Sequence, residues 1–301
     1  MRYSISDLEQ LSGVQTHTIR IWERRYNALV PMRSAGNTRF YDDQQLRKLL
    51  NIVSLSQSGL KISQVCALSD QQINDLLNKE MDYTISGDPH FEFYISQLLS
   101  YGLAYNEFKF DALINKCVLD HGMTETYKNV IYPLLVRLGL MWRKDNICPA
   151  QEHFLSNIIR QKLYSAINEL PVGGSSASSW LLFLPEDEDH DIGLLFANYI
   201  LRLSGQRVIY LGGKTPFDSV KDAMQHNQID HLMLFMTRLR PVNDASAYLD
   251  DLSDFFADKK IHLAGNTKLI HELHLNQNMD WFKSLYEFEE TIKNILECQI
   301  N

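Results

Sequence analysis

Cysteine is scarce: Cys66, Cys117, Cys148 and Cys298 stand far apart in 301 residues, with no Cys-x-x-Cys pair and no zinc-finger spacing. That excludes a disulfide scaffold and leaves the expectation of reduced, mostly buried thiols in a cytoplasmic protein. No apolar run approaches the roughly 18–20 residues that cross a bilayer, so no membrane partner is expected. Met1-Arg2-Tyr3-Ser4 opens no secretory signal. Positive charge is in deficit too: 29 Lys/Arg against 37 Asp/Glu leave −8, an average that argues against a nucleic-acid partner.

What is present qualifies that average. Hydrophobic residues at 45% and charged residues at 22% describe a globular protein able to bury sizeable cores. The length suits two or three domains. The charge is uneven: residues 1–50 hold eight Lys/Arg against five Asp/Glu (+3), and the remainder carries −11. A basic head on an acidic body suggests a grafted DNA- or membrane-binding module.

In the head, Ile5, Leu8 and Leu11 recur at helical spacing up to Gly13, with Ser4 or Ser6 available as N-cap. After a turn at Gly13–Gln15, Ile19, Trp22 and Tyr26 form the apolar face of a second helix. His17, Arg20 and Arg24 line its other face, and Thr16 stands at its start. Two short helices, the second one basic, make a helix-turn-helix whose second helix can enter a major groove. Pro31 ends the segment, and Met32–Tyr41 reads as a hairpin with Gly36–Asn37 at its tip and Arg33 and Arg39 on its arms. A Leu-rich helix follows at 43–57.

This order of elements, with Thr18–Tyr26 and Asn37–Tyr41 as its closest stretches, resembles the winged helix-turn-helix of the MerR family of transcription regulators. The resemblance implies that Thr16, His17 and Arg20 lie near base edges of double-stranded operator DNA, and that Arg24, Arg33, Arg39 and Tyr41 hold its backbone. Arg25 has Glu23 or Asp42 as a possible internal partner and is left out. Such heads act in pairs, so a homo-oligomer is implied, with half-sites ~34 Å or a multiple apart.

Another amphipathic stretch covers 61–79, and polar Ser86–Pro89 marks a boundary. Beyond it, helical periodicity runs through 92–103, 106–120, 124–142 and 150–169, which fits a four-helix bundle. Trp142 closes the third of these helices, and Glu152 and His153 open the fourth. By position alone these are a core plug and a dipole-compensating acid. The Trp, nine residues, Glu-His spacing nevertheless resembles the helical cap of cobalamin-dependent MerR regulators of the CarH/LitR type. That resemblance implies that Trp142, Glu152 and His153 line a chamber for the 5′-deoxyadenosyl group of adenosylcobalamin.

Pro171–Ser179 is a linker by composition. Strand signals at 180–184, 208–211, 231–236 and 261–264 then alternate with helical stretches at 191–204, 216–227, 243–258 and 287–298. Alternation of this kind predicts a doubly wound parallel sheet, flavodoxin-like, with ligands at the C-terminal ends of its strands. After the first strand stands Glu188-Asp189-His190-Asp191-Ile192-Gly193. A histidine on that loop can ligate a metal, and a carboxylate two residues earlier can fix its tautomer. The run resembles the Asp-x-His-x-x-Gly motif of the cobalamin-binding fold of methionine synthases and acyl-CoA mutases, with Glu188 in the Asp position. That fold's Ser-x-Leu and Gly-Gly appear as Thr237-Arg238-Leu239 and Ala264–Gly265. The resemblance implies His190 as the lower axial ligand of cobalt, with Glu188, Gly193, Thr237, Leu239 and Gly265 around the corrinoid and its displaced tail.

The expected fold is thus multidomain, α and α/β: winged helix-turn-helix at 1–75, four-helix cap at 88–170, cobalamin-binding domain at 178–301. The expected function is a transcription regulator, a repressor whose oligomerisation and operator binding answer to adenosylcobalamin and light. Arg143 stands where light-sensing relatives carry a histidine, and a guanidinium cannot take cobalt's vacated upper position. A light-independent cobalamin sensor and a cobalamin-free regulator remain alternatives of the same architecture. A corrinoid carrier enzyme would require a further barrel of about 200 residues that the chain does not contain.

Overall fold

A computed structural model describes residues 2–12, 14–33, 36–57, 60–69, 71–73, 75–76, 91–143, 148–174, 177–238 and 240–300. Contacts group the chain into two compact units, 1–158 and 159–301.

In the first unit, α1 (Ile5–Ser12) starts at Ser4 rather than Ser6. The Asp7 amide donates to Ser4 Oγ at 3.2 Å while Asp7 Oδ2 accepts from the Ser4 amide at 2.8 Å. That reciprocal cap satisfies donors a helix start leaves open. The second helix, α2 (Thr16–Tyr26), stops where Asn27 turns left-handed at φ 49°. β1 (Met32–Arg33) and β2 (Arg39–Phe40) pair antiparallel. A bridge between Tyr3 and Tyr41 returns the chain to its start. α3 (Asp43–Gln57) and α4 (Ile62–Val65) follow. Leu8, Ile19, Leu46, Leu49 and Leu50 form the buried centre of this head.

The bundle comprises α5 (Phe91–Leu103), α6 (Glu107–Thr126), a π-helical turn (Tyr127–Ile131), α7 (Tyr132–Arg143) and α8 (Pro149–Asn168). Sequence periodicity separated 106–120 from 124–142. The break falls in that interval: the helical path of α6 is interrupted at Gly122, with φ 77° and ψ 161°. Without a Cβ, glycine takes that conformation at little cost. Arg137 on α7 clasps Glu92 on α5 through two hydrogen bonds of 2.7 and 2.6 Å. The head and α5–α7 lie in the same unit: α3 packs along α5, and Gln97 Nε2 donates to Asn51 Oδ1 at 3.1 Å.

The second unit alternates strictly. Its elements are β3 (Ser179–Pro185), α9 (Ile192–Leu203), β4 (Arg207–Thr215), α10 (Phe217–His226), β5 (His231–Met236), α11 (Val242–Phe255), β6 (Lys260–Gly265), α12 (Thr267–Ile270), β7 (Met279–Trp281) and α13 (Leu285–Ile300). All five strands are parallel in the order β4-β3-β5-β6-β7. In the unit's own count this is 2-1-3-4-5, the flavodoxin-like winding. Leu181, Phe183, Leu232, Leu234, Ile261 and Leu263 are fully buried along its centre, as expected of strands covered on both faces. β7 was not legible in the sequence, because three residues between polar stretches carry too little pattern.

Candidate corrinoid site and DNA-facing head

In a 2-1-3-4-5 sheet the chain winds in opposite directions from the first strand, and a crevice opens between the first and third strands at their C-terminal ends. Here those strands are β3 and β5, and the crevice is bridged by one carboxylate. Glu188, 0% exposed, lies on the loop after β3. Its Oε1 accepts from the backbone N–H of Asp189 and of His190, both at 3.2 Å, and from His190 Nδ1 at 2.5 Å. Oε2 accepts from the backbone N–H of Thr237 at 2.8 Å and of Arg238 at 2.6 Å, on the loop after β5. Burial by itself would raise the Glu188 pKa. The hydrogen bonds from His190 and from the Arg238 and His190 amides outweigh it and hold the carboxyl at about 2.

The consequence for His190 is orientation. Its Nδ1 faces the carboxylate, an arrangement that places the N–H on Nδ1 and the ring's lone pair on Nε2, while the side chain stays 59% exposed at the mouth of the crevice. Glu188, Asp189 and His190 are also a grouping with ligand atoms close enough to hold a metal ion. Two glycines let the elements around the crevice approach closely. A Cβ on Gly193, in the first turn of α9, would lie 2.8 Å from the Phe235 ring. Gly265, at φ 131°, would carry its Cβ 2.3 Å from the Met236 carbonyl oxygen. Thr237 is exposed at the end of β5, and its carbonyl accepts from Asn266 Nδ2 at 3.3 Å, which ties that loop to the one after β6. Leu239 lies outside the described residues. An imidazole oriented by a buried carboxylate at a switch-point crevice fits the lower side of a cobalt corrinoid.

Two residues that pattern reading missed complete the corner. Arg240 approaches both acids, with Nη1 2.9 Å from Asp187 Oδ1 and Nη2 3.6 Å from Glu188 Oε2. Arg238 contributes its backbone N–H. Their only sequence signal is two arginines just past a strand in an otherwise acidic domain.

The proposed cap residues lie on the bundle. Trp142 and Arg143 fall at the end of α7, and their side chains are outside the described residues. Glu152, in the first turn of α8, accepts from Ser156 Oγ, and its Oε2 lies 3.0 Å from Nδ1 of the exposed His153. These partners are one turn away or adjacent, so the carboxylate is held by its own helix.

On the head, His17, Arg20 and Arg24 are exposed along α2, and Arg33 and Arg39 face each other across the wing. Arg24 Nε donates to the Arg20 carbonyl at 3.3 Å, and Arg33 Nη1 to Asn37 Oδ1 at 2.5 Å. Thr16 is half-buried and donates to Glu9. Tyr41 requires a correction. It is 0% exposed, its hydroxyl donates to Glu23, and its backbone pairs with Tyr3, so its ring has no surface to offer a phosphate. Arg25 makes neither acid pairing anticipated for it among the described contacts; its guanidinium sits 5.7 Å from the Tyr26 ring centre.

Comparison with known proteins follows the same order along the chain. A family described as MerR HTH family regulatory protein matches residues 3–72. One described as B12 binding domain matches residues 94–166. The HTH-type transcriptional repressor CarH of Myxococcus xanthus is 30% identical over 244 residues, covering 80% of this chain and 81% of that protein. The repressor CarA of the same organism is 29% identical over 261 residues, covering 83% and 82%. Among solved structures, the monomethylamine corrinoid protein of Methanosarcina barkeri superposes with a TM-score of 0.50 at 15% identity, covering 67% of this chain and 98% of that one; the likeness is one of fold. No helix among the described residues is long and apolar enough to cross a membrane.

Proposed function

The chain belongs to the MerR HTH family of regulatory proteins, in the group that joins such a head to a B12-binding domain and includes CarH, and from that premise we propose that it is a repressor controlled by adenosylcobalamin and light. It is a cobalamin-binding transcription regulator of MerR type, not an enzyme. The observation that carries the proposal is the Glu188 bridge between the loops after β3 and β5, with His190 oriented on it.

In this reading residues 1–75 would bind operator DNA, and 88–170 and 178–301 would each contribute residues to the cofactor. His190 would ligate cobalt through Nε2, Gly193 lets α9 pack closely, and Thr237, Leu239 and Gly265 would line the path of the tail. Trp142, Glu152 and His153 accommodate the adenosyl group: an indole supplies apolar area, and a carboxylate accepts from ribose hydroxyls. Adenosylcobalamin, when bound, supplies a cobalt–carbon bond that light breaks. Control requires that the cofactor-loaded protein favour one assembly state over another, since a ligand of equal affinity for both shifts nothing. A homo-oligomer, a dimer or tetramer acting on double-stranded operator DNA, is the expected working form.

The test adds adenosylcobalamin to purified protein in the dark, desalts, and records the visible spectrum, oligomer mass and operator affinity before and after green light. Retained colour with light-dependent loss of both assembly and DNA affinity is expected. Colourless protein sinks the cofactor assignment. Colour with unchanged assembly and affinity leaves a light-independent sensor. Equal retention by a His190→Ala variant refutes the ligand.

A further inference from the structure

Beside the Glu188 loop, but on the side covered by α10 and α11, opens a pocket of about 500 Å³ between Pro185 and Pro241. Its lining contains an uncommon arrangement. Arg240 is only 9% exposed and one of its nitrogens holds Asp187. Its Nε and Nη2 are buried with no hydrogen-bond partner among the described residues, and so is the hydroxyl of Tyr248. The 3.6 Å from Nη2 to Glu188 is an ion-pair distance, too long for a hydrogen bond. Buried donors left unpaired are costly, so such a cluster points to an acceptor that arrives from outside.

The charges select among acceptors. Glu186, Asp187 and Asp244 also line the pocket, and together with Glu188 they outweigh the one guanidinium. A second carboxylate or a phosphate would meet that excess of negative charge, while a cation would meet Arg240. A neutral group with a carbonyl to accept from Arg240 and Tyr248, and N–H bonds to donate to the acids, satisfies both sets. Phe217 and Tyr248, edge to face at 5.9 Å, provide an apolar wall for whatever carries that group. The volume is that of a small-molecule site.

We propose that this pocket binds a primary carboxamide. The group has two sources. One is a peripheral amide side chain of the corrin, an assignment that rests on the cobalamin reading above. The other is a free small carboxamide acting as a second effector beside the Glu188 loop. The hydrogen-bonding chemistry is the same for both.

Nicotinamide serves as the probe for the free source, with nicotinate as its charged counterpart, titrated into cobalamin-free full-length protein by ligand-observed NMR. The expected result is nicotinamide binding, nicotinate weaker by about tenfold, and a several-fold loss in Tyr248→Phe, the size of one hydrogen bond. For the corrin source, the affinity of cyanocobalamin is compared with that of its monocarboxylic acids, in which one amide is hydrolysed. One acid is expected to bind about tenfold more weakly than cyanocobalamin in the wild type, with the gap narrowed in Tyr248→Phe and Arg240→Gln. A positive result in either series supports the site and identifies its source. Nicotinamide that binds no better than nicotinate, together with equal affinities for all the corrinoids, overturns it. Should cyanocobalamin itself fail to bind, the cobalamin reading falls, and the nicotinamide series decides the pocket alone. Circular dichroism checks the fold of Arg240→Gln, and Tyr248→Phe, which keeps its ring, carries the conclusion if that variant unfolds.

Discussion

The head and the switch-point crevice treat their charged side chains in opposite ways. On the head, Arg20, Arg24, Arg33 and Arg39 are exposed, and Arg24 and Arg33 hydrogen-bond to residues four positions along the chain. In the crevice, Glu188 is sealed from water and joins loops 49 and 50 residues apart in sequence. The two tasks require this contrast. Phosphate contacts gain by releasing counterions and tolerate adjustment of long side chains. A metal ligand must be held in one tautomer and one direction before the metal arrives. Tyr41 follows the second pattern inside the first region: it is a buried strut against Glu23, and it makes the wing rigid enough for mobile arginines to be useful.

The contrast can be broken most severely at its stiffest point. Glu188→Ala strands two backbone N–H groups of the β5 loop and leaves Arg240 without one of its acids, and is expected to cost about 3–5 kcal/mol in urea denaturation of the full chain. The same denaturation of Arg39→Ala is expected to move stability by less than about 0.5 kcal/mol. Comparable losses would erase the distinction.

Acid tests the crevice's unit from its other end. His262 is buried among Trp180, Phe282 and His231, with Nε2 3.1 Å from His231 Nδ1 and Nδ1 4.0 Å from Asp280. Burial first, then His231 and Lys260, hold its pKa down to about 3 from 6.5. Because the folded state stays neutral where the unfolded chain protonates, stability is complete above pH 6.5 and is lost as pH falls from there towards 3. About 2 kcal/mol of loss between pH 7 and 5 is expected, with a flatter profile in His262→Phe. A wild-type profile equally flat would refute the buried neutral imidazole.

Smaller effects separate base reading from phosphate holding. Arg20→Ala is expected to weaken operator binding by about 1–3 kcal/mol and relax sequence preference, whereas Arg39→Ala weakens all sequences alike and lowers the salt slope by about 1. Fluorescence anisotropy over a salt series, on cognate and scrambled duplexes, distinguishes the two. Tyr41→Phe is expected to cost about 1 kcal/mol of stability and leave the salt slope unchanged. A reduced slope would return Tyr41 to the DNA surface.

Much of this was legible from residue order. Short apolar runs and period-3.6 patterns marked the parallel strands and the bundle helices to within a few residues, and Glu188-x-His190 announced a histidine with an attendant acid. Two things escaped. Met279–Trp281 is too short to carry a pattern. Tyr41, polar at its tip and flanked by arginine and two aspartates, looked like a surface contact until Tyr3 and Glu23 closed over it.

Local pattern determines which segments are helices and strands, which helix is basic and which loop bears the histidine, since propensity and amphipathicity act over a few neighbouring residues. It does not determine that Glu188 reaches Thr237 and Arg238, that Arg240 is buried with donors to spare beside Tyr248, or that Tyr41 faces inward. Those outcomes depend on the order in which β3, β5 and their neighbours stack. A hydrogen bond between residues 50 apart exists only once the whole sheet has closed around it.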